Sequence, residues 1–206
     1  MGDDPRLFSA AAARNGPPIL SAIGRHLPEA GLLLEVASGS GQHAVLLARA
    51  RPGLRIQPSD PRPEARASIA AWSRAEALAN LLPPLDLDVT APPEAWPVQH
   101  ADAVLAVNLL HVAPPAASAG LFAGTGRVLE AGGPLFVYGP FVAPDRPTAP
   151  SNLAFDAALR GTNPAWGLRR TDRLAREAEG HGLDLVETVS MPANNLLLVF
   201  RCRAGP

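Results

Sequence analysis

The stretch Leu32–Leu47, LLLEVASGSGQHAVLL, decides the fold of this chain. It begins as an apolar run, reaches Glu35, turns through small residues and continues with the spacing of a helix. A buried strand that ends at Glu35 would present a carboxylate and backbone N–H groups at one point, as parallel α/β sheets do when they hold a nucleotide-like cofactor. The pattern does not identify that cofactor, because Gly39-x-Gly41-x-x-Ala44 also resembles a dinucleotide fingerprint.

The composition is that of a folded protein. The chain has 206 residues, of which 47% are hydrophobic and 18% charged, so we expect a single domain over residues 1–206. The net charge is -1 and no basic stripe is present, so nothing favours a nucleic-acid partner. All 18 positively charged residues are Arg, which excludes Schiff-base chemistry and a P-loop lysine.

Cysteine usage and hydropathy bear on location. The single cysteine, Cys202, cannot form an internal disulfide, which fits a reducing compartment. No apolar run approaches the ~20 residues of a membrane span. We therefore expect a cytoplasmic protein with no membrane partner and no metal site, whose oligomeric state the sequence leaves open.

Strand and helix patterns alternate along most of the chain. Strands are predicted at Gly31–Val36, Leu54–Pro58, Leu85–Val89, Ala101–Asn108 and Pro134–Tyr138, and helices at Gln42–Ala50, Glu64–Asn80 and Ala116–Glu130. This alternation predicts a parallel sheet with helices on both faces. After a helix over Asp172–His181, the strand patterns Leu183–Met191 and Asn195–Arg203 are separated by only three residues, so they must form an antiparallel hairpin.

Two segments are candidates to cover the site. Residues 1–30 are predicted as helical, with a break at Gly16–Pro18 and a second helix from about Pro18 to His26. This N-terminal segment is a candidate lid, with Arg14 and Asn15 as candidate lid residues. The Pro-rich stretch Pro140–Pro150 is predicted as a long loop at a strand end.

Polar side chains follow the predicted strands where the ligand of an open α/β sheet binds. Asp60 can accept both ribose hydroxyl protons. Asp88 and the N–H of Val89 can read an adenine edge. The predicted cofactor-binding residues are Glu35, Ala37, Ser38, Gly39, Gly41, Gln42, Asp60, Asp88, Val89 and Asn108. Each carboxylate also has a structural interpretation as a cap or turn residue, and their coincidence at strand ends favours a nucleoside site.

A family resemblance rests on these residues. Glu35-x-Ala37-x-Gly39-x-Gly41, with Asp60, Asp88 and the terminal hairpin, resembles the class I S-adenosylmethionine-dependent methyltransferases, which usually have Gly at the position of Ala37. The segments EVASGSGQHA, NLLHVAP, SNLAFDAALR and MPANNLLLVF are similar to the DUF938 family, which includes the methyltransferase-like protein 26 group. This similarity extends from about Arg6 to Arg203.

The resemblance implies the fold and the cofactor. The fold is a Rossmann-like α/β class I methyltransferase fold, with a mostly parallel seven-stranded sheet in the order 3-2-1-4-5-7-6 and a C-terminal antiparallel hairpin. The cofactor is S-adenosylmethionine, with S-adenosylhomocysteine as the product. The resemblance implies no particular acceptor.

Candidate catalytic residues are His111 and Tyr138. His111 lies three residues past the fourth predicted strand and is the candidate base, or else it satisfies a loop carbonyl. Tyr138 ends the fifth strand, and its hydroxyl orients an acceptor or acts as an acid, or else the residue packs as an aromatic. His43 follows the glycine turn and either contacts the cofactor or substrate or, as the favoured interpretation, lies on the surface of the helix.

The predicted substrate-pocket residues are Phe141, Asn152, Phe155, Arg160, Trp166 and Asn194. Asn152, Phe155 and Asp156 share one helix face. Arg160 can clamp an acidic acceptor or pair with Asp156. At Asn194 a structural role in the hairpin turn competes with the pocket role.

Three functions fit the sequence. The leading one is a methyltransferase acting on a small-molecule acceptor. The second is a catalytically silent S-adenosylmethionine-binding protein acting in a complex, because Asn108-Leu109-Leu110-His111 is not an Asn-Pro-Pro-Tyr-type signature. The third is an NAD-dependent oxidoreductase, which the glycine pattern supports and which Asp88 and the terminal hairpin oppose.

Overall fold

The computed structural model describes residues 4–204. In chain order, its elements are α1 (Ala10–Ile23), β1 (Gly31–Val36), α2 (Gln42–Ala50), β2 (Leu54–Pro58), α3 (Pro63–Glu76), β3 (Ala103–Val107), α4 (Ala116–Val128), β4 (Pro134–Gly139), β5 (Phe141–Val142), α5 (Pro150–Thr162), β6 (Arg169–Arg170), α6 (Thr171–Glu179), β7 (Leu183–Met191) and β8 (Asn195–Cys202). Short 3-10 turns lie at Pro93–Ala95, Leu110–Val112 and Pro192–Asn194.

A mixed sheet forms the centre of the molecule. Its order is β2-β1-β3-β4-β8-β7. The strands β1 to β4 pair in parallel, and β8 lies antiparallel between β4 and β7. The predicted mostly parallel sheet and its C-terminal antiparallel hairpin are thereby confirmed. The carboxyl ends of β1 to β4 meet at one edge, called here the carboxyl edge.

The predicted third strand, Leu85–Val89, does not form within the described residues. Instead, the segment beside β2 makes two isolated parallel bridges, Ile56 with Leu81 and Ser59 with Leu85. Between these bridges stand Pro83 and Pro84, which lack the N–H that a continuous ladder needs. The segment thus takes the place of the missing strand, and the described sheet has six strands rather than seven.

The N-terminal segment also differs from the prediction. The break at Gly16–Pro18 is absent, and α1 runs through Pro17 and Pro18 as one helix. The two prolines leave the carbonyls of Ala13 and Arg14 without helical partners, and both of these residues are exposed, so water can hydrate them. The packing of α1 on α2 offsets the remaining free-energy cost of the two prolines.

The core has two parts, one on each face of the sheet. Alternate residues of β4 serve opposite faces: Leu135 joins the cluster under α4 and α6, whereas Phe136 and Tyr138 join the cluster under α1 and α2. Ile19 and Ile23 dock α1 on this second face, at 2% and 0% exposure. Tyr138 therefore faces the N-terminal helix.

An excursion between β4 and α6 crosses the carboxyl edge. The predicted Pro140–Pro150 loop contains β5, which pairs in parallel with β6, so the two ends of the excursion are joined. Its helix α5 is fixed by Asp156, whose Oδ1 accepts a hydrogen bond from the Leu168 N–H at 2.7 Å.

None of the helices within residues 4–204 combines the length and apolar character needed to cross a lipid bilayer.

Candidate functional site

The loop after β1 turns through left-handed backbone. Ala37, Gly39 and Gly41 have φ of 56°, 56° and 87°. An alanine in this region is strained by roughly 1–2 kcal/mol, which explains why a glycine is usual at position 37. A Cβ on Gly41 would lie 2.9 Å from Ile69 Cγ1 of α3, whereas a Cβ on Gly39 would meet nothing within 4 Å. The backbone at Gly39 therefore borders open space.

Asp60 lies against this loop, at the end of β2. The residue is 1% exposed. Its Oδ2 accepts the Gly39 N–H at 2.9 Å, and its Oδ1 accepts the Arg62 N–H at 3.0 Å. The Arg62 side chain donates to the same carboxylate from the exposed side. Asp60 thus fixes the turn before α3 and also presents a charge beside Gly39.

Glu35 is a buried carboxyl group at the end of β1. It is 1% exposed, and its Oε2 has no hydrogen-bond partner within residues 4–204. Burial raises the pKa of Glu35 to about 8, an effect that the negative charge of Asp60 increases and a hydrogen bond from Ser38 opposes. The side chain is therefore mostly neutral at pH 7, and a cationic group placed at Oε2 would favour its ionised form.

His43 is buried, so its interpretation as a surface histidine is wrong. It is 9% exposed, because α1 covers the first turn of α2. Its Nε2 lies 2.7 Å from Asn15 Oδ1, and its Nδ1 lies 4.0 Å from Glu35 Oε1. Burial lowers the pKa of His43 to about 4, so the ring is neutral at pH 7 and its Nε2–H donates to Asn15.

Asn15 joins three elements of the site. Besides His43 on α2, its side chain adjoins the hydroxyl of Tyr138, which is 3% exposed at the end of β4. Burial raises the pKa of this hydroxyl, and the side chain of Asn15 partly opposes that rise. The candidate lid residue Asn15 is thus held at the carboxyl edge, whereas its neighbour Arg14 is exposed.

His111 lies in the 3-10 turn that follows β3. It is 6% exposed, and its ring packs edge-on against Phe155 of α5, with centroids 5.6 Å apart. A Cβ on Gly139 would lie 3.4 Å from Nδ1, so the glycine lets the imidazole approach the end of β4. Burial lowers the pKa of His111 to about 4, and the positive charge of Arg169 adds to this.

The ring of His111 is available for proton transfer. Within residues 4–204, the histidine rings that form hydrogen bonds are those of His26, His43 and His100, so the ring of His111 satisfies no loop carbonyl. Asn108, at φ of 56°, places its Oδ1 near Gly139, on the same side as the His111 ring. A neutral imidazole with a free lone pair can accept a proton.

Three predicted cofactor residues already have structural partners. The exposed Asp88 accepts hydrogen bonds from the N–H and hydroxyl of Thr90, both at 2.8 Å. These bonds are those of a turn residue, the structural alternative given for Asp88. The carbonyl of the buried Val89 packs against Gly120. Gln42 Oε1 accepts from the Ser9 N–H and the Ser40 hydroxyl, and so holds the start of α1. Their roles toward a cofactor stay predictions.

The predicted substrate-pocket residues separate into two groups. Phe141, Asn152 and Asn194 line a cavity of about 160 Å³ between α5, the loop 143–149 and the β7–β8 turn.

The other three residues lie outside this cavity. Phe155 covers His111. Arg160 pairs with Asp156, Nε to Oδ2 2.9 Å, as the structural alternative predicts. Trp166 is half-buried in the turn before β6.

Arg146 is a lining residue of the same cavity that the sequence did not single out. It stands in the Pro-rich loop, where no periodicity marks a side chain as inward-facing.

Comparison with protein families gives one match over most of the chain. A family model described as "Protein of unknown function (DUF938)" matches residues 6–202.

Solved structures of methyltransferases share the fold. An O-methyltransferase family protein from Burkholderia thailandensis superposes with a TM-score of 0.79 at 19% identity, covering 95% of this chain and 58% of that one. Human N-acetylserotonin methyltransferase, in complex with S-adenosylmethionine, gives 0.74 at 17% identity, covering 94% and 53%. CalO1, a methyltransferase in calicheamicin biosynthesis in its S-adenosylhomocysteine-bound form, gives 0.71 at 20% identity, covering 94% and 61%. The present chain thus spans less than two thirds of each of these proteins.

Proposed function

Because the chain belongs to the DUF938 family and has a class I methyltransferase fold, we propose that it is an S-adenosylmethionine-dependent methyltransferase acting on a small-molecule acceptor. The observation that carries the proposal is the pair of buried carboxyl groups, Glu35 and Asp60, on either side of the left-handed loop Ala37–Gly41. The net charge of -1 favours a small acceptor over a nucleic acid.

Two features of the site fit the cofactor. The buried Oε2 of Glu35 has no partner within residues 4–204, and it can bind the ammonium of the methionine part. The open space beside Gly39 adjoins the carboxylate of Asp60, which can accept hydrogen bonds from the ribose hydroxyls. The ammonium and the ribose of the cofactor therefore each have a matching carboxyl group at the carboxyl edge.

The protein contributes two things to the reaction: it positions the acceptor and it removes the acceptor's proton. S-adenosylmethionine supplies a methyl group that its sulfonium already activates. The residues of the chain hold the acceptor in line with that group and exclude water. His111 removes the proton of an acceptor O–H or N–H at a ring nitrogen, because its imidazole is neutral at pH 7. The hydroxyl of Tyr138, which adjoins Asn15, orients the acceptor.

Calorimetric titration tests the cofactor assignment. We expect S-adenosylmethionine and S-adenosylhomocysteine to bind and NAD not to bind. Asp60→Ala should weaken S-adenosylmethionine binding at least tenfold, because hydrogen bonds to a charged group are lost. Asp184→Ala, which removes an exposed carboxylate on β7, is the matched control and should bind as the wild type does. Preferential NAD binding, or unchanged affinity of the Asp60 variant, would contradict the assignment.

A further inference from the structure

Several polar side chains line the cavity beside α5. Its lining includes Phe141, Arg146, Asn152, Ser190, Asn194 and Leu196, and it is called here the α5 cavity. Leu196 of β8 pairs with Gly139 of β4, the residue that adjoins His111. Asn152 and Phe155 are one turn apart on α5, and Phe155 packs on His111. The α5 cavity therefore lies beside the proposed site of methyl transfer.

The side-chain oxygen of Asn152 is a hydrogen-bond acceptor that lines this cavity and has no partner within residues 4–204. The residue is 7% exposed. Its Nδ2 donates to the carbonyl of Asn194 at 2.9 Å, which fixes the carboxamide between α5 and the hairpin turn. Its Oδ1 accepts no hydrogen bond from any group in residues 4–204. This oxygen is accessible from the cavity, so the O–H or N–H of an occupant can donate to it in place of water.

Arg146 gives the cavity a positive charge. Its NH1 donates to the Ser190 hydroxyl at 3.2 Å, and its other partner is the exposed Asp145. An exposed pair of neighbouring residues is weak, so an incoming anion can replace Asp145. The first turn of α5 also opens at this cavity, and its N-cap, Ala149, supplies no side-chain acceptor.

We propose that the α5 cavity binds the acceptor molecule, and that this acceptor is a small carboxylic acid that also carries an O–H or N–H donor. Arg146 pairs with the carboxylate, Asn152 Oδ1 accepts the donor, and Phe141 and Leu196 contact the apolar part. A volume of about 160 Å³ is below the ~300–1,000 Å³ of typical ligand pockets, which limits the enclosed part to a small group. The proposal rests on the proposed function for the link to methyl transfer, whereas binding of the acid can be measured by itself.

NMR titration of the ¹⁵N-labelled protein tests this site with defined probes. The probe is 4-hydroxybenzoate, compared with 4-hydroxybenzamide, which lacks the charge, and with benzoate, which lacks the donor. We expect 4-hydroxybenzoate to shift the amide signals of Asn152, Asn194 and Leu196, and to bind at least fivefold more tightly than either analogue.

Variants test whether binding of the acid depends on the charge of Arg146 or changes with any loss of a surface charge. Arg146→Gln should weaken 4-hydroxybenzoate at least fivefold and leave 4-hydroxybenzamide unchanged. Asp145→Asn should tighten 4-hydroxybenzoate, because it removes the competing carboxylate. Arg49→Gln is the matched control, since Arg49 is also exposed and paired with a carboxylate, Glu76, but does not line the α5 cavity.

Either of two results would overturn the acid assignment: equal binding of acid and amide, or binding that Arg146→Gln does not change. The titrations need no cofactor, so their outcome does not depend on whether the proposed function is right. If the acid binds but S-adenosylmethionine does not, the α5 cavity stands and the methyltransferase proposal falls. If S-adenosylmethionine binds and the acid does not, only the present inference falls.

Discussion

At the scale of single residues, Glu35 carries the clearest chemical prediction. Its pKa is raised to about 8 by burial, so at pH 6.5 the free protein holds this carboxyl protonated. The ammonium of S-adenosylmethionine would favour the ionised form, and one proton would then leave the protein on binding. Affinity should therefore increase as the pH rises from 6 toward 8, by at most tenfold per unit, since a single proton is linked.

Calorimetry at pH 6.5 in two buffers of different ionisation enthalpy measures that proton. The wild type should release up to one proton per cofactor bound. Glu35→Gln should bind more weakly and release none, because the amide cannot ionise. Equal heats in both buffers for the wild type would show that Glu35 does not face the ammonium.

His111 carries the catalytic prediction. Because its ring makes no hydrogen bond within residues 4–204, truncation leaves no partner unsatisfied, and His111→Ala should leave cofactor affinity nearly unchanged. Turnover should fall by roughly 10²–10⁴-fold if the acceptor must lose a proton. The measurement is methyl transfer from labelled S-adenosylmethionine to a metabolite extract, with His181→Ala, an exposed histidine after α6, as the control. Unchanged turnover would remove His111 as the base.

Ala37 shows how much could be predicted from the sequence at the scale of single residues. Its departure from the usual glycine was visible in the sequence, and the structure shows the consequence, a left-handed alanine at φ 56°. The burial of His43 was not predictable from its place on α2. The residue is covered by α1, whose docking depends on contacts distant in sequence.

At the scale of elements, α1 is fixed to the carboxyl edge through Asn15. Asn15→Ala would leave the buried Nε2–H of His43 without an acceptor, which should lower the free energy of unfolding by about 1–3 kcal/mol. Chemical denaturation measures this change. Arg14→Ala, at the exposed neighbouring position, is the control and should change stability little. Equal stability of the two variants would show that Asn15 does not hold α1.

Element bounds were predictable where hydrophobic pattern and turn residues agree. The bounds of β1, α2, β2 and β7 coincide with those read from the sequence. The prediction failed at the segment Leu85–Val89, where Pro83 and Pro84 interrupt the ladder. It failed again at Gly16–Pro18, where tertiary packing on α2 overrides the local preference of proline to end a helix.

At the scale of the whole molecule, topology brings together residues that the sequence keeps far apart. Asn15 meets Tyr138, and Asn152 meets Asn194, because α1 and the β7–β8 turn both lie at the carboxyl edge. Strand order predicted that Glu35, Asp60 and His111 would share this edge. The α5 cavity was only partly predictable, since its Arg146 belongs to a loop with no periodic pattern.

A crystal structure with S-adenosylhomocysteine bound tests the central claim most directly. We predict the ribose hydroxyls within hydrogen-bond distance of the Asp60 carboxylate, the amino group at Glu35 Oε2 and the sulfur directed toward His111 and the α5 cavity. Binding of S-adenosylhomocysteine away from the loop Ala37–Gly41, or in a pose that leaves both Glu35 and Asp60 without contact, would contradict the account.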